Sequence, residues 1–351
     1  MNSFGRIFRI SVFGESHGEC VGITIDGCPA GLSLSPEDLA SDLEKRKGGR
    51  QKGTTPRQEE DFPIFKSGIF NGKTTGFPIT ILFENRNIRS EDYAKQRSIP
   101  RPGHADWVAH QKFGGFEDYR GGGHFSARMT AGLVAAGAIA KKLLNFSTLP
   151  QTLSQRRAAR DEVPDQVNIH AEVVEIGGEN DLEKGLQKAI DAKDSVGGII
   201  ECRVNGLPVG LGEPWIDSVE SVLAHFLFAI PAVKGVEFGA GFAAAKMFGS
   251  EHNDAIMEMS GKTKTNHAGG IVGGITNGNA LVFRLAIKPT SSTPKEQESL
   301  NWDTEQVEKF SIKGRHDLCV ALRAPVIVEA VTAIVLCDLM MLEQKIPRIL
   351  K

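Results

Sequence analysis

Five of the nine histidines in this 351-residue chain lie within two residues of a glycine, in segments that read as loops. They are His17 in GESHG, His104 in RPGHAD, His124 in GGGHFSAR, His267 in NHAGG and His316 in GRHD. Imidazole gives or takes a proton most readily near neutral pH, so repeated placement in comparable loops points to acid–base work. Arginines keep the same company: Arg46 and Arg50, Arg101, Arg120 and Arg128, and Arg315. Guanidinium groups grip phosphate and carboxylate oxygens in pairs. Arg101, Arg128 and Arg315, each beside Gly and His, are therefore assigned to an anionic ligand.

The run Tyr119-Arg-Gly-Gly-Gly-His-Phe-Ser-Ala-Arg-Met-Thr130 leads toward an Ala- and Leu-rich helix. Glycines let backbone amides approach an anion, and a helix N-terminus adds positive potential. The run is neither a GxxxxGK[ST] loop nor a GxGxxG dinucleotide turn. Lys288-Pro-Thr-Ser-Ser292, at the end of an apolar strand, offers a second set of donors to phosphate. No usual metal-ligand spacing, CxxC pair or GxSxG elbow occurs. Metal-free acid–base chemistry on an anionic ligand is what remains.

The net charge of −2 and pI near 6.5 argue against nucleic acid and give no support to a membrane partner. The five scattered cysteines read as small apolar fillers in a reducing compartment. No signal-like segment opens the chain, and Ala324–Leu342 is interrupted by Glu329 and Asp338, so a cytoplasmic protein with a buried helix there is expected.

The elements that must hold these loops alternate. Strands are expected at Ile7–Phe13, Gly22–Ile25, Pro78–Phe83, Ala171–Ile176, Gly198–Val204 and Ala280–Ile287. Helices are expected from a capping box at Ser35–Asp38 to Gly48-Gly49, and at Thr130–Leu144, Leu182–Lys193, Ser218–Ile230 and Glu329–Leu342. Asn145–Gln166 reads as a polar surface connection. Asp26-Gly-Cys-Pro-Ala-Gly-Leu32 and Asn205-Gly-Leu-Pro-Val-Gly-Leu211 share a [DN]-G-x-P-x-G-L frame, each after a strand and before a helix, which suggests two pseudo-equivalent halves. The class is α/β or α+β, with spacing too irregular for a doubly wound sheet.

Taken together, the segments resemble chorismate synthase. FGESHG at 13–18, IDGCPAGL at 25–32, RPGHAD at 101–106, DYRGGG at 118–123, SAR at 126–128 and AAGAIAKK at 135–142 run in family order. GLGEP at 210–214, AVKGVE at 232–237, NHAGGIVGGI at 266–275, KPTSS at 288–292 and GRHD at 314–317 continue it. The resemblance implies a single α+β domain over 1–351, a β-α-β sandwich with helices inside and sheets outside, assembled as a homotetramer. It implies a lyase of the shikimate pathway of aromatic amino acid biosynthesis. Its reaction is a 1,4-anti elimination of phosphate and the C6 hydrogen from 5-enolpyruvylshikimate 3-phosphate, giving chorismate with reduced FMN and no net redox change. An external flavin reductant is implied, without a segment of its own for reduction by NADPH.

By position, His17 and His104 match the family's acid–base histidines, and Asp317 the aspartate that helps the flavin act as base. Arg46, Lys52, Arg101 and Arg128 match substrate-binding positions. His124, Phe125, Ser126, Pro231, Ala232, Gly273, Lys288, Pro289, Thr290, Ser291, Ser292 and Arg315 match flavin-binding ones. The chain departs from the family pattern at His124, Phe125 and Met129 (usually Arg, Ser and Glu), Lys52 (Arg), Pro231 (Asn) and Leu318 (Pro). In the altered loop, His124 is expected to keep a hydrogen bond in the flavin pocket, with Phe125 packed against the ring system or a neighbouring subunit. Two rival readings are a fold-retaining anion- or flavin-binding protein without turnover, and a flavin oxidoreductase.

Overall fold

The computed structural model describes residues 2–49, 52–55, 59–86, 97–146, 166–312 and 316–350. A five-stranded antiparallel sheet is built from β1 (Ser3–Phe4), β2 (Arg9–Gly14), β3 (Cys20–Asp26), β4 (Ile64–Ser67) and β7 (Ile79–Glu84), in the order β1-β2-β3-β7-β4. A four-stranded antiparallel sheet has β8 (Asn168–Ile176), β9 (Gly198–Asn205), β10 (Val233–Phe238) and β13 (Leu281–Ile287), in the order β10-β13-β9-β8. Small hairpins pair β5 (Ile69–Phe70) with β6 (Lys73–Thr74), β11 (Ile271–Val272) with β12 (Ile275–Thr276), and β14 (Gln297–Asn301) with β15 (Gln306–Phe310). Helices are α1 (Glu37–Arg46), α2 (Asp106–Phe113), α3 (Thr130–Phe146), α4 (Leu182–Ala192), α5 (Val219–Leu227), α6 (Gly249–His252) and α7 (Pro325–Leu342).

Helices α3 and α7 pack on each other between the sheets, α3 on β3 and β7 and α7 on β8 and β9, so the α+β sandwich has its helices inside. The strands show why: Ile23, Ile25, Ile79, Ile81 and Phe83 in one sheet and Ile200, Cys202, Leu281, Phe283 and Leu285 in the other alternate inward at period two. Both helices are buried almost all round, as a helix apolar on every face must be. Helix α7 is the buried core helix expected from the sequence, although by length and composition it would also pass for a membrane span despite Glu329 and Asp338. Small residues let α3 and α7 approach: a Cβ on Gly137 would sit 2.3 Å from Ala330 Cα. Glu329 and Lys141 are paired inside, with Lys141 Nζ donating to Glu329 Oε2 at 2.8 Å and to Asp42 Oδ2 at 2.7 Å.

The suggested repeat extends through both halves. The elements β2, β3, α1, β4, β5–β6, β7 and α3 recur in order as β8, β9, α5, β10, β11–β12, β13 and α7, with matching strand order. The shared frame makes the same contacts twice. Thr74 Oγ1 accepts from Leu32 N at 2.9 Å and donates to Pro29 O at 2.6 Å; Thr276 Oγ1 accepts from Leu211 N at 2.9 Å and donates to Pro208 O at 2.7 Å.

Element ends differ from expectation by a few residues, and the strands β4 and β10 and the helix α2 were not foreseen. Half of the capping box forms: Ser35 N donates to Asp38 Oδ2 at 2.8 Å, without the reciprocal side-chain cap. Arg50, Arg315 and most of the 145–166 connection lie outside the described residues.

Candidate active site

Loops from both halves close round a cavity of about 840 Å³. His17, on the β2–β3 loop, lines it while almost fully buried. Gly121, Gly122 and Gly123 all have left-handed φ, at +59°, +80° and +51°. A Cβ on Gly121 would fall 2.1 Å from His17 Cε1, and one on Gly122 3.1 Å from His104 Cε1. Only glycine combines that backbone with that closeness. The glycine run is thus a thin wedge against two imidazoles. It does not lead straight into the helix, as the sequence suggested, because a 3₁₀ turn at Ala127–Met129 comes first, capped by Ser126 Oγ accepting from Arg128 N at 3.3 Å.

The RPGHAD loop folds on its own aspartate. Asp106 Oδ2 accepts from Arg101 Nε at 2.7 Å, and Asp106 Oδ1 lies 2.8 Å from Arg101 Nη2 and 2.6 Å from His104 Nδ1. Burial opposes ionisation of Asp106, but hydrogen bonds from Arg101 and His104 outweigh it and hold its carboxyl well below the usual range. With Nδ1–H assigned as donor to Asp106, Nε2 is the nitrogen left for chemistry.

Asp61, a left-handed residue at φ 51°, bridges two buried guanidiniums, accepting from Arg46 on Oδ2 and from Arg128 on Oδ1. Arg128 also donates to Asn85 Oδ1 at 2.9 Å and Glu84 O at 3.1 Å, whereas Arg46 has Thr130 Oγ1 at 3.4 Å. Burial opposes ionisation of Asp61 too, and the two arginines reverse it, lowering its pKa. Burial draws the pKa of Arg46 down; Asp61 opposes this, and the charges of Arg128 and Arg323 reinforce it.

The second half supplies the opposite wall. Lys288 Nζ donates to Gly103 O at 2.7 Å and to Ser291 Oγ at 2.8 Å, and Ser291 Oγ donates to Gly103 O at 2.7 Å. Arg101 Nη1 reaches Ser292 Oγ at 3.4 Å. The 288–292 loop is so clipped to the RPGHAD loop across the two halves. Asp317 is fixed at both oxygens, Oδ1 accepting from Thr55 N at 2.8 Å and Oδ2 from Arg323 Nη2 at 2.5 Å.

His124, Phe125, Ser126, Pro231, Ala232, Pro289, Thr290 and His316 also line the cavity. His124 Nδ1 donates to Gly14 O at 2.8 Å, and the half-exposed Phe125 lies 6.4 Å from the ring of Phe113. Three positions lie elsewhere. Lys52 is exposed, with Nζ 3.1 Å from Gln187 Oε1, Gly273 is the exposed turn of the β11–β12 hairpin, and His267 lies 5.9 Å from the ring of His252. None of the three lines the cavity. Sequence reasoning missed Asp61, whose partners are distant in sequence, Asp106, a motif position read as spacing, and Arg323, two residues before α7 and paired with Asp317. It also missed an apolar end where Phe4 stacks on Phe226 at 4.1 Å.

Among the described residues, seven cationic side chains line the cavity (Arg46, Lys47, Arg101, Arg128, Lys234, Lys288, Arg323) against three carboxylates (Glu59, Asp61, Asp317). The balance suits an anionic ligand, and the volume falls in the upper range for small-molecule sites.

The chorismate synthase family model matches residues 8–341. A curated chorismate synthase from Chitinophaga pinensis is 63% identical over 351 residues, covering all of both chains. One from Dehalococcoides mccartyi is 46% identical, covering 100% of this chain and 99% of that protein, and one from Methanocaldococcus jannaschii is 43% identical, covering 97% and 96%. A crystal structure of chorismate synthase, 26% identical, covers 97% of this chain and 93% of its own with a TM-score of 0.68. On this agreement of sequence, fold and cavity, the chain belongs to the chorismate synthase family, lyases that form chorismate from 5-enolpyruvylshikimate 3-phosphate.

Proposed function

We propose that the cavity holds reduced FMN and 5-enolpyruvylshikimate 3-phosphate together, with His17 and His104 as its proton-handling groups. The observation that carries this reading is the glycine wedge. It fits two imidazoles against a cation-lined space large enough for two ligands. An apolar end at Phe4 and Phe226 beside the cationic wall suits a ring system with a phosphate tail.

Reduced FMN, when bound, supplies electron density as phosphate leaves and regains it as the C6 hydrogen is lost. Arg46, Arg101 and Arg128 bind and orient the substrate's carboxylates and phosphate. The leaving phosphate takes the C3–O electron pair, and the histidines meet its charge with protons, His104 through Nε2. Lys288 to Ser292, His124 and Ser126 hold the flavin, and Asp317, fixed by Thr55 and Arg323, stands as the carboxylate that assists removal of the C6 hydrogen. Lys52, Gly273 and Arg315 carry over from the resemblance alone.

Anaerobic single-turnover mixing with pre-reduced FMN and the substrate tests the reading; chorismate should appear, and its absence would sink it. Replacing His17 or His104 by Ala should lower turnover by roughly 10²–10⁴. An effect under about threefold for both removes their roles. We further propose one domain, since a continuous core joins the halves, an external source of reduced flavin, a cytoplasmic location and a homotetramer. The exposed Trp215, Ile216, Phe242, Phe248 and Met259 support assembly, which light scattering would test.

A further inference from the structure

The repeat gives the cavity a second arginine that its first half already uses. Arg128 lies two residues before α3, in the 3₁₀ turn Ala127–Met129; Arg323 lies two residues before α7, in the 3₁₀ turn Val320–Arg323. Since α3 and α7 are equivalent in the two halves, so are these arginines. Each lines the cavity and each is paired with a carboxylate, Arg128 with the distant Asp61 and Arg323 with Asp317 six residues before it. Arg323 Nη1 also approaches Arg46 O at 3.4 Å, and both Arg128 and Arg323 repel the charge on Arg46.

Among the described residues, three guanidiniums thus crowd one wall with two carboxylates bonded between them. Arg46 Nε and Arg323 Nε are buried and have no hydrogen-bond partner among the described residues. A buried donor left unmade is costly, and an arriving oxyanion removes that cost. We infer that Arg323 is a ligand-binding residue, the third arginine of an oxyanion cradle formed with Arg46 and Arg128. It receives a phosphate or carboxylate of the substrate. The inference rests on the reading of the cavity as the substrate site.

The simpler role, orienting Asp317 alone, makes a different prediction. With oxidised FMN, which prevents turnover, Arg323→Gln should weaken the dissociation constant for 5-enolpyruvylshikimate 3-phosphate by about 10- to 100-fold, the factor for one charge-assisted hydrogen bond. Arg323→Lys should recover part of it, and Asp317→Asn should change it less than about threefold. Arg323→Gln binding within threefold of wild type overturns the inference, as does an equal loss in Asp317→Asn. If the wild type itself does not bind this substrate, the functional reading fails instead. Thermal stabilisation by inorganic phosphate, and separately by malonate, then still tests the cradle and tells phosphate from carboxylate. Arg323→Gln stabilised by both as much as wild type overturns it. Should Arg323→Gln fold poorly, the same measurements on Arg323→Lys decide, with a loss of at least threefold expected.

Discussion

Asp61→Asn isolates the charge that lets two arginines share one buried wall. The Arg46 and Arg128 side chains are 7% and 4% exposed and that of Asp61 is fully buried. Removing one partner of a buried ion pair costs about 3–5 kcal/mol, because the other charge is left uncompensated. Arg128 keeps Asn85 and Glu84 O as acceptors, while among the described residues the Arg46 side chain keeps a long contact to Thr130 alone. Asn retains one acceptor oxygen, which places the cost near the lower end, about 3 kcal/mol. At roughly 2–4 °C per kcal/mol for chains of a few hundred residues, the melting temperature should fall by roughly 6–12 °C. Inorganic phosphate should raise the melting temperature of the variant more than that of wild type, since the variant cavity is more positive. The pH dependence has a definite sign. The folded pKa of Asp61 is depressed, so between it and the ordinary carboxylate value the unfolded chain binds the extra proton. The stability it contributes is complete above about pH 4 and is lost as pH falls through the folded value. The gap between wild type and variant should therefore be flat from pH 5 to 8 and close below about pH 4. Scanning fluorimetry across that range, with and without phosphate, measures all three effects. A loss under about 2 °C, or a gap that widens on acidification, would refute the reasoning.

Gly121→Ala should keep the fold but cut turnover by on the order of 10²-fold, because its Cβ would overlap His17 and push the ring by about an ångström; steady-state kinetics beside a melting curve separates the two. His124→Ala should weaken FMN binding in a fluorescence titration, since His124 is fixed to Gly14 O at the cavity wall; unchanged affinity means the altered loop does not grip the flavin. Gly137→Ala should destabilise by about 1–3 kcal/mol through overpacking against Ala330, read as a lower denaturation midpoint at constant slope.

Much of the frame was legible because period-two apolar runs such as Gly198–Val204 have one buried face, and a single residue's slip would expose it. The [DN]-G-x-P-x-G-L frame was legible as a pattern, and its duplicated threonine contacts explain why both copies need it. Strands β4 and β10 were not, since both lie at sheet edges, are only partly buried and carry register shifts. Helix α2 escaped because Trp107, Val108 and Phe113 leave its apolar side chains in solvent. In the site, motif residues such as His17 and Arg101 stood out by their glycine neighbours. Asp61 and Arg323 did not, because their meaning comes from partners 15 and 67 residues away in one case and from an internal equivalence in the other. The glycine run was noticed for its amides, yet its use is the absence of side chains.

The contact of Gly137 with Ala330 carries a consequence beyond packing. The first sheet bears His17 on its β2–β3 loop, the second bears Lys288 to Ser292 after β13, and the helix pair between them is a spacer gauge. Its thickness is already near the minimum two backbones allow, so it can drift in one direction only. Any methyl group added at this crossing, however remote from the reacting atoms, should work as a shim that shifts His17 relative to the loop of Lys288 to Ser292. Catalytic fit in this fold is therefore inherited from a residue that never meets a ligand.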